Sequence, residues 1–382
     1  MIQAKRKPHR KLCVVMVLFT LLLACLSPLV SAQTKKGKAV QKAEELFRQN
    51  PAWLGTDGAN STPLGNNRIF WSFEDTFIST SEVHSRKQST MIRNSVAIQT
   101  GVDPLTADMT FYWGRDADGS PASFFPEDGK TWYWTGGAIR LDEGPLISFL
   151  HRVKSTPGVG LGFSSAGYAL AVIKNPDQPP SDWEPVIINA KESAFDAVPA
   201  TAVVRDDEYI VGLALKQEGT HAGALVRFLA SSLAVGNIEN PQWWAGSNLG
   251  WVGEPDLGPA GPVFVINDAG AESSLHWDQR TQSFIHIATY GFGAATIGMR
   301  TAPSLTGPWS EPVEIYRPPE LAGPQPFVYS AIAHPELEGS DPDDLIVTYA
   351  TNSFEFSDLF SEHGSEHLYW PRVISIRLNR KQ

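Results

Sequence analysis

From Trp53 to the end of the chain, apolar positions come in short runs that alternate with polar residues or continue unbroken, and Gly, Pro, Asn and Asp close each run. Arg68–Phe73, Met91–Thr100, Ala200–Arg205, Tyr209–Leu215 and Gly261–Ile266 read as strands. So do Phe284–Thr289, Ala295–Thr301, Leu345–Thr351 and Arg372–Arg377. The pattern predicts an all-β fold of short antiparallel strands. One segment has helical spacing instead. Val40, Ala43, Leu46 and Phe47 share a face within Lys38–Gln49, and Pro51 stops the helix.

A Pro/Trp turn recurs as PPSDWEPV around Trp183, NPQWW around Trp243 and TGPWSEPV around Trp309, at spacings of 60 and 66 residues. Residues 53–382 hold about five such units, and strand-rich units of ~40–65 residues predict a five-bladed β-propeller. The Trp turns would mark the outer edges of the units. Inner strands would begin near Trp53, Asn94, Asp196, Glu272 and Tyr329.

The first 32 residues have a different character. Met1–Lys11 carries five Lys/Arg and no acid, Leu12–Cys25 is apolar, and Val30-Ser31-Ala32 is a small-residue cleavage pattern. That order predicts a signal peptide over 1–32, a helical lead-in over 33–52 and the propeller over 53–382. The expected location is secreted or periplasmic. Leu-Leu-Ala-Cys at Cys25 resembles a lipoprotein anchoring site, but the cleavage pattern at Ala32 is the better one. Both cysteines, Cys13 and Cys25, fall in this segment, so no disulfide or thiolate metal site is expected downstream. Without it the chain has 26 Lys/Arg against 41 Asp/Glu, a net charge of −15 that disfavours nucleic acid and anionic membranes. Twelve Trp residues suit a chain that handles sugars.

Candidate chemistry centres on WLGTDGANSTPLGNNRIFWSFEDTF, Trp53–Phe77. Asp57 and Asp75 each end an apolar-aromatic run, and a turn between them reads as one hairpin that brings the carboxylates together. In a propeller the starts of the inner strands surround a funnel, where Asp57, Asp75, Asp196 and Glu272 would converge. Of Glu74 and Asp75 only one is expected to face inward, because strand side chains alternate. Glycosidic cleavage needs one protonated and one ionised carboxyl, and burial with mutual repulsion separates two such pKa values. Asn94, Trp134, Tyr329, His334 and Arg372 are candidate substrate-binding residues, by hydroxyl bonding or ring stacking. No nucleophile elbow, zinc-protease pair or P-loop is present. No metal and no cofactor are expected, and the chain is read as a monomer acting on a polysaccharide or oligosaccharide.

The W-L-G-T-D-G, S-T-P-L-G, R-I-F-W-S-F-E-D-T-F and M-I-R-N-S-V-A-I pieces, with the later E-S-S-L, T-A-P-S-L-T-G-P-W-S, A-H-P-E-L and W-P-R-V, resemble a bacterial family long known as a domain of unknown function. That family is associated with endo-D-arabinanases, glycoside hydrolase family 183. The resemblance implies a five-bladed propeller and a catalytic aspartate pair matching Asp57 and Asp75. Family members often carry Gly before the second aspartate, where this chain has Glu74. The expected function is therefore a secreted glycoside hydrolase, endo-D-arabinanase-like, with Asp57 and Asp75 as the catalytic pair and Glu272 as a third catalytic carboxylate. The alternative is a non-catalytic carbohydrate-binding propeller.

Overall fold

The alternation that builds the sheets is visible in a single strand. In Arg68–Phe73, Ile69, Trp71 and Phe73 join one buried cluster while Phe70 joins another. Both faces of the strand are covered, which is why such segments read as unbroken apolar runs. The structure is a computed structural model that describes residues 36–191, 195–217, 219–323 and 325–380. The expected signal peptide over 1–32 lies outside the described residues.

Among the described residues five large sheets follow one another, and every strand pairing is antiparallel. The first runs Ala59–Gly65, Arg68–Phe73, Ser95–Thr100, Asp108–Tyr112 in spatial order. The second runs Thr131–Arg140, Leu146–Ser155, Phe163–Ile173, Val186–Asn189, and the third starts with Ala197–Asp206, Tyr209–Lys216 and Gly223–Leu229. The fourth runs Ser273–Asp278, Ser283–Tyr290, Thr296–Ala302, Val313–Tyr316. In the fifth, Pro326–His334, Asp344–Ser353 and Arg372–Arg377 are joined by Lys38–Ala39 from the other end of the chain, with Lys38 opposite Ser375. The first strand of each sheet touches the first strand of the next, and Pro326–His334 returns to Ala59–Gly65, so the inner strands form a closed circuit. Five apolar clusters fill the five spaces between successive sheets.

The inner strands differ from those expected. Asp196 and Glu272 do stand immediately before inner strands, and Tyr329 lies within one. Asn94 instead precedes the third strand of the first sheet, and Trp53–Thr56 belongs to a small sheet with Thr76–Ser79 and Ser89–Ile92. The inner strand Thr131–Arg140 was masked in the sequence by Gly136-Gly137, which break its apolar pattern. Those glycines sit where neighbouring backbone comes close: a Cβ on Gly136 would lie 1.8 Å from the Ala200 carbonyl oxygen. The Trp turns keep their expected place, since Trp183 and Trp309 lead into outer strands and Trp243 lies within one.

The lead-in is a 3-10 helix over Gln41–Arg48, not a helix from Lys38, because Lys38 and Ala39 are taken up by the fifth sheet. Its buried residues Ala43, Leu46 and Phe47 pack on Trp53, Trp71 and Trp370. Among the described residues no helix is long and apolar enough to cross a membrane.

Candidate active site

The hairpin Ala59–Gly65/Arg68–Phe73 does not stop at the edge of its sheet. Both arms turn and pair again as Trp53–Thr56 against Thr76–Ser79 in the small sheet, with Thr56 opposite Thr76. The turn falls at Asp57-Gly58 on one arm and at Glu74-Asp75 on the other, and the Asp57 N–H donates to the Asp75 carbonyl at 3.4 Å. Gly58 permits it: its φ is +47°, and a Cβ there would lie 2.7 Å from Glu74 Cγ. A chain of buried hydroxyls fixes the junction. Thr56 meets Thr76 at 3.2 Å, Thr76 meets Ser95 at 3.0 Å, and Trp53 Nε1 donates to Ser95 at 3.1 Å.

Because residues 74 and 75 sit in the bend, strand alternation does not apply to them. Glu74 and Asp75 both face the other acids, which corrects the expectation that only one would. Glu272, immediately before the first strand of the fourth sheet, completes a group of four carboxyls with Asp57, Glu74 and Asp75. Glu74 is buried, while Asp57, Asp75 and Glu272 keep part of their surface open.

The four sort into two kinds. Burial pushes Asp57 well above the ordinary aspartate range, and the charges of Asp75 and Glu272 add to the rise. Tyr329 donates its hydroxyl to Asp57 Oδ2 at 2.7 Å, and Tyr369 pulls on the same carboxyl in the opposite direction to burial. Asp57 Oδ1 is buried without a hydrogen-bond partner. Glu74 is also driven well up, by burial first and then by the charges of Glu272, Asp57 and Asp75. Asp75 is raised by burial, but Arg93 and Trp134 oppose the rise. Arg93 Nη1 donates to both its oxygens at 3.4 and 3.2 Å, and Trp134 Nε1 donates to Oδ1 at 3.0 Å. Glu272 is raised by burial, and the neighbouring Ser330 and Glu74 hold the rise back. Burial thus raises all four carboxyls, Asp57 and Glu74 well above the ordinary range and Asp75 and Glu272 less far, because their partners oppose the rise.

Trp134 and Tyr329 therefore reach the group as hydrogen-bond donors to carboxyls. The other three candidate binding residues do not. Asn94 is fully buried, donating to the carbonyls of Phe125 and Tyr133 and accepting from the Phe125 N–H, so no amide face is left for a sugar. His334 is fully buried between Ser61 at 2.5 Å and Thr348 at 2.7 Å, and burial pushes its pKa down to about 3. Its neighbourhood is a separate cavity of about 260 Å³ along the inner strands, lined by Ser61, His276 and Glu336 among others. Arg372 ties the last strand to Glu44 at 2.9 Å and Glu320 at 3.3 Å. Asp196 is exposed and lies outside the group.

Sequence reasoning missed Arg93 and Tyr369 and did not count Glu74 among the catalytic carboxylates. Arg93 stands in the same Met-Ile-Arg-Asn piece as Asn94, and its guanidinium lies 4.5 Å over the Trp132 ring. The Trp132/Trp134 pair was the available signal for it. Tyr369 is held by Arg86, a buried arginine whose donors go to backbone carbonyls, including those of Leu368 and Tyr369.

Among solved structures, a provisionally assigned hydrolase of Bacteroides ovatus ATCC 8483 is similar to this chain with a TM-score of 0.66 at 18% identity, over 88% of this chain and 89% of that one. The catalytic domain of a family 62 α-L-arabinofuranosidase from Coprinopsis cinerea gives a TM-score of 0.47 at 11% identity, over 91% and 97%. An endo-arabinase from Bacteroides thetaiotaomicron VPI-5482 gives 0.45 at 11% identity, over 86% and 95%. No curated protein matches the sequence. Residues 41–378 match the family described as Domain of unknown function (DUF5005).

Proposed function

The chain belongs to the DUF5005 family, and from that premise and the four-carboxyl group we propose that it is a secreted glycoside hydrolase on a five-bladed β-propeller. The closed circuit of inner strands and the five cores between successive sheets support the propeller reading. Removal of 1–32 on export and action as a monomer complete the proposal.

The observation that carries the reaction is the contrast between Asp57 and Asp75. Asp57, raised well above the ordinary aspartate range by burial, would enter the reaction protonated. As the glycosidic C–O bond breaks, that proton passes to the leaving oxygen. Asp75, whose rise Arg93 and Trp134 oppose, would act as the ionised partner and supply the electron pair to the anomeric carbon, directly or by taking a proton from water. In the direct case Asp57 then takes a proton from the incoming water, which becomes the new sugar hydroxyl and restores the acid; in the water case the water proton ends on Asp75, and exchange with solvent returns both carboxyls to their starting states. Glu272 acts through the pKa values of its neighbours. The substrate class favoured by the sequence resemblance is a D-arabinan.

A glycan-degradation screen that includes arabinogalactan, with Asp57→Asn and Asp75→Asn as controls, tests this. Release of reducing ends by the unaltered protein, with loss of at least a hundredfold in each variant, is expected. Activity unchanged in both variants would remove these residues from catalysis, and turnover of no glycan would favour a binding module.

A further inference from the structure

Tyr329 belongs to a row of rings that leads away from Asp57. Its ring stacks on Phe327 at 4.8 Å between centroids and 25° between planes, and Phe327 stacks on Phe354 at 4.7 Å and 7°. Phe292 leans on both, 5.8 Å from Phe327 and 5.6 Å from Phe354. The row begins at the carboxyl of Asp57, through the Tyr329 hydroxyl, and ends in solvent. Phe292 is 73% exposed and Phe354 is 49% exposed.

Exposed phenylalanines carry a cost in solubility, and here two of them are held together by construction. Phe292 sits between Gly291 at φ +108° and Gly293 at φ +71°, a loop fixed to the inner strand by the Val328 N–H on the Gly293 carbonyl at 3.0 Å. Phe354 directly follows the second strand of the fifth sheet, where Ser353 is tied to Asp358 at 2.7 Å. Rings set by backbone and by one another lose little freedom when a ligand covers them. Nothing in the reaction at Asp57 and Asp75 requires these two phenylalanines.

We propose that Phe292 and Phe354 form a sugar-binding subsite that holds the glycan chain beyond the unit being cleaved. This rests on the glycoside hydrolase reading for what lies at the Asp57 end. The occupant is a saccharide ring, whose C–H face covers apolar surface while its hydroxyls stay in water. Continuity with Asp57 favours the substrate chain over a second protein, because Tyr329 belongs both to the carboxyl group and to the ring row. The subsite acts on affinity for long chains and leaves the proton inventory at Asp57 alone.

The test compares the unaltered protein, Phe292→Ala/Phe354→Ala and Phe292→Tyr/Phe354→Tyr, each also with Asp57→Asn to stop turnover. Arabinogalactan, arabinan, xylan and galactan serve as probes in affinity gel electrophoresis, and KM and kcat are measured on any polymer that is cleaved. Both residues are exposed, so the alanine variant should fold, and its melting temperature verifies that. We expect the alanine variant to bind the retained polymer roughly tenfold more weakly, with the change in KM, and the tyrosine variant to restore binding. Equal retardation and equal KM in the alanine variant would overturn the subsite while leaving the hydrolase reading intact. Retardation that depends on the two rings, with no cleavage by the unaltered protein, would sustain the subsite and remove the hydrolase. A monomer–dimer equilibrium abolished by the alanine variant, with polymer retardation by none of the proteins, would reassign the surface to self-association and overturn the proposal.

Discussion

Arg93 is the group that separates the two aspartates, so Arg93→Met should move one limb of the pH–rate profile and leave the other. At 3.2 Å from Asp75 Oδ2, the guanidinium attraction is about 5 kcal/mol at an effective dielectric of ~20 and about 1.3 kcal/mol in water. The Arg93 side chain is 32% exposed and the Asp75 side chain 13%, so solvent screening pulls the net value toward the lower end. Taking ~2 kcal/mol, loss of the charge raises the Asp75 pKa by about 1.5 units. The sign is fixed by the group: a carboxylate deprived of its cation holds its proton to higher pH. The acid limb of kcat/KM should therefore move to higher pH by one to two units, while the alkaline limb, set by Asp57, stays in place. Arg93→Lys keeps a charge without the fork and should move the limb less. Carbon-13 carboxyl titration of the labelled protein reads the same shift without substrate. An unmoved Asp75 titration in Arg93→Met would refute this account of the site. So would a parallel shift of both limbs.

Three further outcomes follow from the packing. Glu336 is pushed up to about 7 by burial, so its protonated form contributes stability that is complete below the unfolded value near 4.5 and is lost as pH rises through about 7. Glu336→Gln, neutral throughout, should gain up to ~3 kcal/mol over the parent between those pH values; parallel melting curves against pH would disprove it. Gly58→Ala sets a Cβ against Glu74 at a left-handed backbone position and should cost ~1–3 kcal/mol in urea unfolding, with loss of activity larger than the stability loss explains. Arg372→Met leaves Glu44 and Glu320 facing each other without their cation and should lower stability by ~2–4 kcal/mol at neutral pH, read as a fall in melting temperature, while the KM of the folded protein stays unchanged.

What the sequence disclosed depends on whether a residue's role is local. Asp57 and Asp75 lie at matched ends of one hairpin, so their proximity was readable from two apolar runs and the turn between them. Glu272 was readable because it directly precedes an inner strand, and so were the Trp turns at the outer edges. Glu74 was misread because the alternation rule assumes a straight strand, and nothing in Phe-Glu-Asp-Thr-Phe announces a bend. That bend depends on Gly58 on the opposite arm. Asn94, His334 and Arg372 were misread for a different reason. Polar side chains near a site are as often spent on backbone carbonyls, hydroxyls or structural ion pairs, and only the tertiary partners tell which. Arg93 and Tyr369 act through contacts across 18 and more than 300 residues, which no local pattern encodes.

The hairpin that carries Asp57 and Asp75 is among the most local pieces of this chain, whereas Tyr329, Tyr369 and Glu272 arrive from its far half. The two parts of the site therefore belong to different moments of folding. Local hairpins close in microseconds, while pairing across hundreds of residues waits on much slower loop closure. A chain whose last sheet has not yet closed on the first has Asp57, Glu74 and Asp75 together on the hairpin but lacks Tyr329, Tyr369 and Glu272, which act on Asp57. Refolding monitored by strand content should run ahead of recovered turnover, and the lag should end with hydrogen-exchange protection of the pairing between Lys38–Ala39 and Ile374–Ser375.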